Sequence, residues 1–208
     1  MLKILGRATS SNVQKVAWLC EELNIAYDRT DIGGPFGGNR EAEYLALNPN
    51  GIVPTIDDDG FVLWESNAIV RYLAEKHGKG TDFWPEDLQA RASADRWMDW
   101  ALSILAARHV PVFAGLIRTA EADRDYDKIA AARDLWSAAN KVLETWLADH
   151  EFLSGDTFSI GDIPASPFTY RWFNLDIERE DFPNLKRWHE TVAARPAFKK
   201  HIIDIGLS

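Results

Sequence analysis

Along the first 80 residues, short apolar runs alternate with stretches whose apolar positions recur at helical spacing. Leu2–Gly6 predicts a short strand. In Ser10–Leu23 the period changes: Val13, Val16, Ala17, Cys20 and Leu23 mark one helix face, with Gln14, Lys15, Glu21 and Glu22 on the other. Ala26–Ile32 predicts a second strand, glycines and Pro35 break the chain through Gly38, and Arg40–Leu47 predicts a short helix. Val53–Asp57 and Phe61–Trp64, separated by Asp58, Asp59 and Gly60, predict a hairpin. Ser66 then reads as the N-cap of a helix over Asn67–His77 that buries Ile69, Val70, Leu73 and Ala74. The expected order is β-α-β-α-β-β-α.

Strand signals nearly vanish beyond this point. Ala90, Ala94, Trp97, Ala101 and Ile104 mark the face of one long helix, and Leu135, Ala139, Val142 and Trp146 that of another. Glu121–Lys128 is a charged turn. Ser159 followed by Asp162 makes a capping-box-like helix opening with Asp in the usual Glu position. The pattern predicts an α/β domain over residues 1–78, a linker over 79–85 and an all-helical domain over 86–208.

Composition narrows the function. The 208 residues are 46% hydrophobic and 26% charged, ordinary for a soluble globular chain. A net charge of −9 repels phosphate backbones and argues against nucleic acid as a partner. One cysteine, Cys20 on the apolar face of the first helix, allows no internal disulfide and reads as a buried structural residue. No uninterrupted apolar run reaches the roughly 18 residues of a membrane helix, and no signal pattern opens the chain, so it reads as cytoplasmic. The five histidines never fall at i, i+4, so no helical metal pair is expected. His77, His150 and His189, near helix ends, read as dipole partners or surface residues. Gly33–Gly38 fails the dinucleotide-binding spacing and reads as a flexible flap.

Three segments carry candidate chemistry. Pro54 stands where a strand should begin, which suits either a trans edge proline or a cis Val53–Pro54 bond that leaves the backbone of Val53 free for a peptide-like ligand. Glu65-Ser66 at a helix start matches the charges of an amino-acid head group: Ser66 and the helix N-terminus suit a carboxylate, and Glu65 suits an ammonium. Simple capping explains the same serine. Ala8–Asn12 places hydroxyls of Thr9, Ser10 or Ser11 and the Asn12 amide at another helix start, where they could stabilise a thiolate or serve as a polar cap.

Together these residues resemble the glutathione transferase family, its serine-type, theta-like and bacterial Thr/Ser-x-Asn members in particular. The similarity runs along the whole chain and is strongest in NPNGIVPTIDDDGFVLWESNAIVRYL, Asn48–Leu73, while Ser159–Asp162 resembles the family's folding motif with Gly161 where alanine is common. The resemblance implies a thioredoxin-like first domain, an all-helical second domain, and glutathione as cosubstrate with no other cofactor. It places Ser10 beside the sulfur, with Thr9 and Ser11 as alternatives, and Asn12 beside it. Val53 would pair with the cysteinyl backbone, Ser66 with the γ-glutamyl carboxylate and Glu65 with the ammonium. Relatives often carry Lys, Arg or Gln where Ile52 stands, so Ile52 would contribute backbone only, and Asn39, Arg40 or Asn50 would supply polar contacts. Arg7, Thr9, Arg96, Trp97 and Trp100 are the expected pocket for a small hydrophobic electrophile where the two halves meet. Ala94 and Trp97 suit equally a homodimer interface. The implied reaction is thiolate attack on the electrophile. The alternatives are glutathione-dependent disulfide reduction and a non-catalytic glutathione-binding or regulatory role.

Overall fold

The computed structural model describes residues 1–207. It forms two compact units, one of Met1–Trp84 with Pro196–Gly206 and one of Pro85–Arg195. Residues 79–84, expected as linker, thus fold with the first unit, as does the stretch from Pro196.

The first unit is built on a four-stranded sheet in the order β2-β1-β3-β4. Its strands are β1 (Leu2–Leu5), β2 (Tyr27–Thr30), β3 (Thr55–Asp58) and β4 (Phe61–Trp64). β1 runs parallel to β2 and antiparallel to β3, with Ile4 opposite Ile56 and Leu5 opposite Thr55. The β3–β4 hairpin closes on Asp59 and Gly60, both at positive φ, the conformation a two-residue hairpin turn needs. Helices α1 (Ser11–Glu22), α2 (Ala42–Leu47) and α3 (Ser66–His77) complete the expected order. Gly34–Phe36 adds one 3-10 turn in the glycine segment.

Two expectations fail in this unit. Gln14 and Lys15, assigned to the polar side of α1, are 4% and 0% exposed, within an unbroken buried run from Val13 to Cys20. A helix buried all round has no solvent face for them, and Lys15 satisfies its ammonium on the side chain of Asn12. The N-cap of α3 is Glu65, not Ser66, which is the first helical residue. The segment from Pro196, α9 (Pro196–Phe198) and its extension Lys199–Ile203, packs on α1: Phe198 meets Trp18 edge-on at 5.0 Å, and Lys200 pairs with Glu21 at 2.7 Å.

The second unit is helical. α4 (Leu88–Trp100) and α5 (Ala106–Phe113) are joined and extended by wider π-type turns at Ala101–Leu105 and Ala114–Arg118. By length and composition alone the stretch Leu88–Arg118 could cross a membrane. Its Ala94, Met98, Leu105, Val112 and Phe113 are buried in the core of the unit, alongside α6 (Tyr126–Leu147), while Leu102, Val110 and Ile117 are exposed. The face expected for α6 is displaced: Leu135 and Val142 are exposed, and Trp136, Ala139, Asn140, Leu143 and Leu147 are buried. α7 (Ser166–Asn174) and α8 (Pro183–Ala193) follow. His189, read as a dipole partner or surface residue, is buried on α8 against Phe173, with ring centroids 5.0 Å apart.

Ser159 and Asp162 pair in a turn ahead of α7, whose N-cap is Ala165, so the helix opening expected at Ser159 lies six residues further on. Asp162 is fully buried and accepts from the N–H of Ser159 (3.0 Å), the N–H of Leu153 (2.9 Å) and the indole of Trp188 (2.8 Å). Ser159 Oγ accepts in turn from the N–H of Gly161 at 3.1 Å. Gly161 is required here, because a Cβ on it would lie 2.1 Å from Ser154 Oγ and 3.0 Å from the Cα of Ala94.

Candidate glutathione site

Three loops converge at the end of β1. Gly6 ends the strand where a Cβ would lie 2.5 Å from Val13 and 3.1 Å from Val53, so only glycine lets α1 and the loop before β3 approach so closely. A Cβ on Gly33 would lie 3.4 Å from Val53, and one on Gly34 would lie 2.9 Å from the guanidinium of Arg7. The segment expected as a flap is thus packed over Arg7 and against Val53.

The Val53–Pro54 peptide is cis. Among the described residues, neither the N–H nor the C=O of Val53 has a hydrogen-bond partner within the protein. The loop that carries it is held firmly. Tyr44 donates its phenolic hydrogen to the C=O of Ile52 at 2.7 Å, and Asn48 donates to the same oxygen at 2.8 Å. Thr55 Oγ1 lies 2.9 Å from the Tyr44 hydroxyl. Burial in this network pushes the Tyr44 phenol above its ordinary value. Asn39 donates to the C=O of Gly51 at 2.7 Å, Arg40 to that of Asn50 at 3.3 Å, and Asn50 pairs with Asn48. Asn39, Arg40 and Asn50 therefore meet on this loop, whereas Ile52 turns a half-exposed apolar side chain outward. Sequence reasoning missed Tyr44, Asn48 and Thr55, all buried supports of Val53; a lone tyrosine in a short helix gave no signal of that role.

Two helix starts flank the loop. Ser10 caps α1 with extended backbone, and its hydroxyl makes no capping bond. Among the described residues the hydroxyls of Thr9, Ser10 and Ser11 have no partner in the protein. Asn12 Oδ1 accepts from Lys15 Nζ at 2.9 Å and from Ser66 Oγ at 3.3 Å. Glu65, exposed at the start of α3, has φ +73°, a conformation that costs a non-glycine residue on the order of 1–3 kcal/mol and that clusters at ligand-binding positions. The N-termini of α1 and α3 both favour anions.

The remaining expected residues divide between the units. Arg7 and Thr9 lie in the first. In the second, Trp97 is 5% exposed and packs edge-on to Trp100 at 5.4 Å, and the Arg96 guanidinium lies over Trp146 at 4.9 Å. Trp97 and Ala94 are already buried within one chain, which leaves them little surface for a dimer interface. Cys20 is fully buried, and burial pushes its thiol up to about 12, in keeping with a structural residue.

The chain is 41% identical over 205 residues, covering 98% of both proteins, to glutathione S-transferase GstB of Escherichia coli K12. The chain belongs to the glutathione S-transferase family. Residues 9–76 match the family's N-terminal domain and residues 98–196 its C-terminal domain. A theta-class glutathione S-transferase from Xanthomonas axonopodis pv. citri, solved with glutathione bound, superposes with a TM-score of 0.95 at 43% identity, covering 100% of this chain and 99% of that one. A glutathione transferase from Burkholderia graminis, solved with two glutathione molecules per subunit, has a TM-score of 0.84 at 25% identity over 97% of this chain and 87% of its own. The thioredoxin-like first unit and helical second unit expected from the sequence are the fold of this glutathione S-transferase family.

Proposed function

We propose that this chain binds glutathione across the loop at Val53, ionises its thiol beside Ser10 and Asn12, and directs the thiolate to a small hydrophobic electrophile. One observation carries the reading: the free backbone of Val53 lies in a braced loop, flanked by unpartnered hydroxyls at the start of α1 and a strained Glu65 at the start of α3. Val53 takes the cysteinyl backbone, Ser66 the γ-glutamyl carboxylate and Glu65 the ammonium, while Arg40 and Asn50 serve the other end. Ser10 donates to sulfur, and the positive end of the α1 dipole stabilises the charge that forms. The thiol proton leaves to solvent. The thiolate then attacks an electrophilic carbon, and a halide departs or an epoxide opens. Arg7 and Thr9, just before the start of α1, are the proposed contacts for the electrophile, and the working form is a homodimer.

The test is titration of the chain with glutathione by calorimetry, together with conjugation of an activated aryl chloride. Saturable binding with turnover supports the reading; absence of both removes it. The two glutathiones in the Burkholderia graminis relative favour a second reading, disulfide reduction, in which a second glutathione attacks a mixed disulfide. Comparing rates on a hydroxyethyl disulfide and on the aryl chloride decides between them. Light scattering reads the homodimer.

A further inference from the structure

Lys15 is fully buried in the first half of α1, three residues after Asn12, and its ammonium donates to Asn12 Oδ1 at 2.9 Å. An ammonium has donors only, so the amide atom facing it must be the oxygen. Ser66 donates to the same oxygen. Both bonds fix the amide the same way round, and the Nδ2 donors of Asn12, which have no partner among the described residues, point away from Lys15. The placement is costly for the fold. A cation belongs near a helix C-terminus, and here it lies close to the positive N-terminal end with no exposure to water.

We infer that Lys15 is a positioning residue for the reaction: it locks the Asn12 amide with its N–H donors toward the glutathione sulfur. The inference rests on the proposed function. It assigns to Lys15 no contact with substrate; its effect passes through Asn12.

The test is the titration of bound glutathione, followed by thiolate ultraviolet absorbance, in the wild type, Lys15→Met, Asn12→Ala and the double variant. Lys15→Met keeps an unbranched stem and removes the donor and the charge. Binding of S-methylglutathione, which has no thiol, reports whether the site is still folded. The expected result is a thiol pKa about one pH unit higher in Lys15→Met, a tenfold smaller thiolate fraction, with S-methylglutathione binding unchanged. The double variant should match Asn12→Ala alone, because the two residues act in series. Lys15→Gln, which keeps a hydrogen-bond donor for Asn12 without the charge, should give a smaller shift, and it serves as the readout if the Met variant does not fold. An unmoved titration in either folded variant, additive shifts in the double variant, or loss of S-methylglutathione binding overturns the inference. A wild type that binds no glutathione overturns the proposed function itself, so the two failures are distinct.

Discussion

Ser66 Oγ, on the first residue of α3, donates to Asn12 Oδ1 on the second residue of α1 at 3.3 Å. One hydrogen bond therefore ties the two helix starts that the proposal assigns to opposite ends of the ligand's cysteinyl and γ-glutamyl portion. A carboxylate arriving at Ser66 takes up that same hydroxyl hydrogen. Ser66→Ala should raise the KM for glutathione by roughly tenfold to a hundredfold, the loss of one hydrogen bond to a charged group, with a smaller change in kcat. Steady-state kinetics with glutathione varied checks this.

Ser10→Ala should move the acid limb of the pH–rate profile upward by about one unit and lower kcat/KM at neutral pH by about tenfold. Thr9→Ala and Ser11→Ala should leave the limb in place. If one of those moves it instead, the thiol-facing hydroxyl belongs to that residue.

Tyr44 braces the ligand loop from beneath. Tyr44→Phe leaves the C=O of Ile52 with Asn48 as its remaining partner and should cost about 1 kcal/mol of stability. The urea midpoint reads that loss, and a raised KM for glutathione reads the loosened Val53.

Two buried groups give the stability opposite dependences on pH. Burial holds His189 down to about 4, below the ordinary 6.5, so the unfolded chain takes up its proton first as pH falls. That stabilisation is complete above 6.5 and is lost down to about 4, a change on the order of 3 kcal/mol. Burial raises Asp162 to about 6 from 3.8, so there the folded state takes up the proton first and stability is gained as pH falls through the same range. Urea unfolding at about pH 7.5 and about pH 5 should show a smaller acid loss in His189→Gln than in the wild type, and a larger one in Asp162→Asn.

At neutral pH, Asp162→Asn should itself cost roughly 2–4 kcal/mol, because its new NH2 faces groups that can only donate. The fall in thermal midpoint measures it.

Much of this was legible in the residues. The Asp59-Gly60 turn, the proline after Val53 and the Asp162 carboxylate that accepts from Ser159 each use a residue type for a physical property that few others share. The failures also have physical causes. The face of α6 was misphased because apolar residues occur all round that helix, and the buried Asn140 disguises the true stripe. Lys15 was read as solvent-facing because charge is the ordinary mark of exposure, although the apolar run that follows it gave the contrary signal. Glu65 displaced Ser66 from the cap by one residue, because no sequence rule expects glutamate at positive φ.

The packing of Phe198 and Lys200 on α1 has an outcome for biosynthesis. The sheet and its three helices leave the ribosome first, yet Trp18 stays uncovered until residues near 200 have been made. A fragment that ends near residue 84 therefore exposes a tryptophan the whole chain keeps dry, and the half of the molecule translated earliest is the last to be completed.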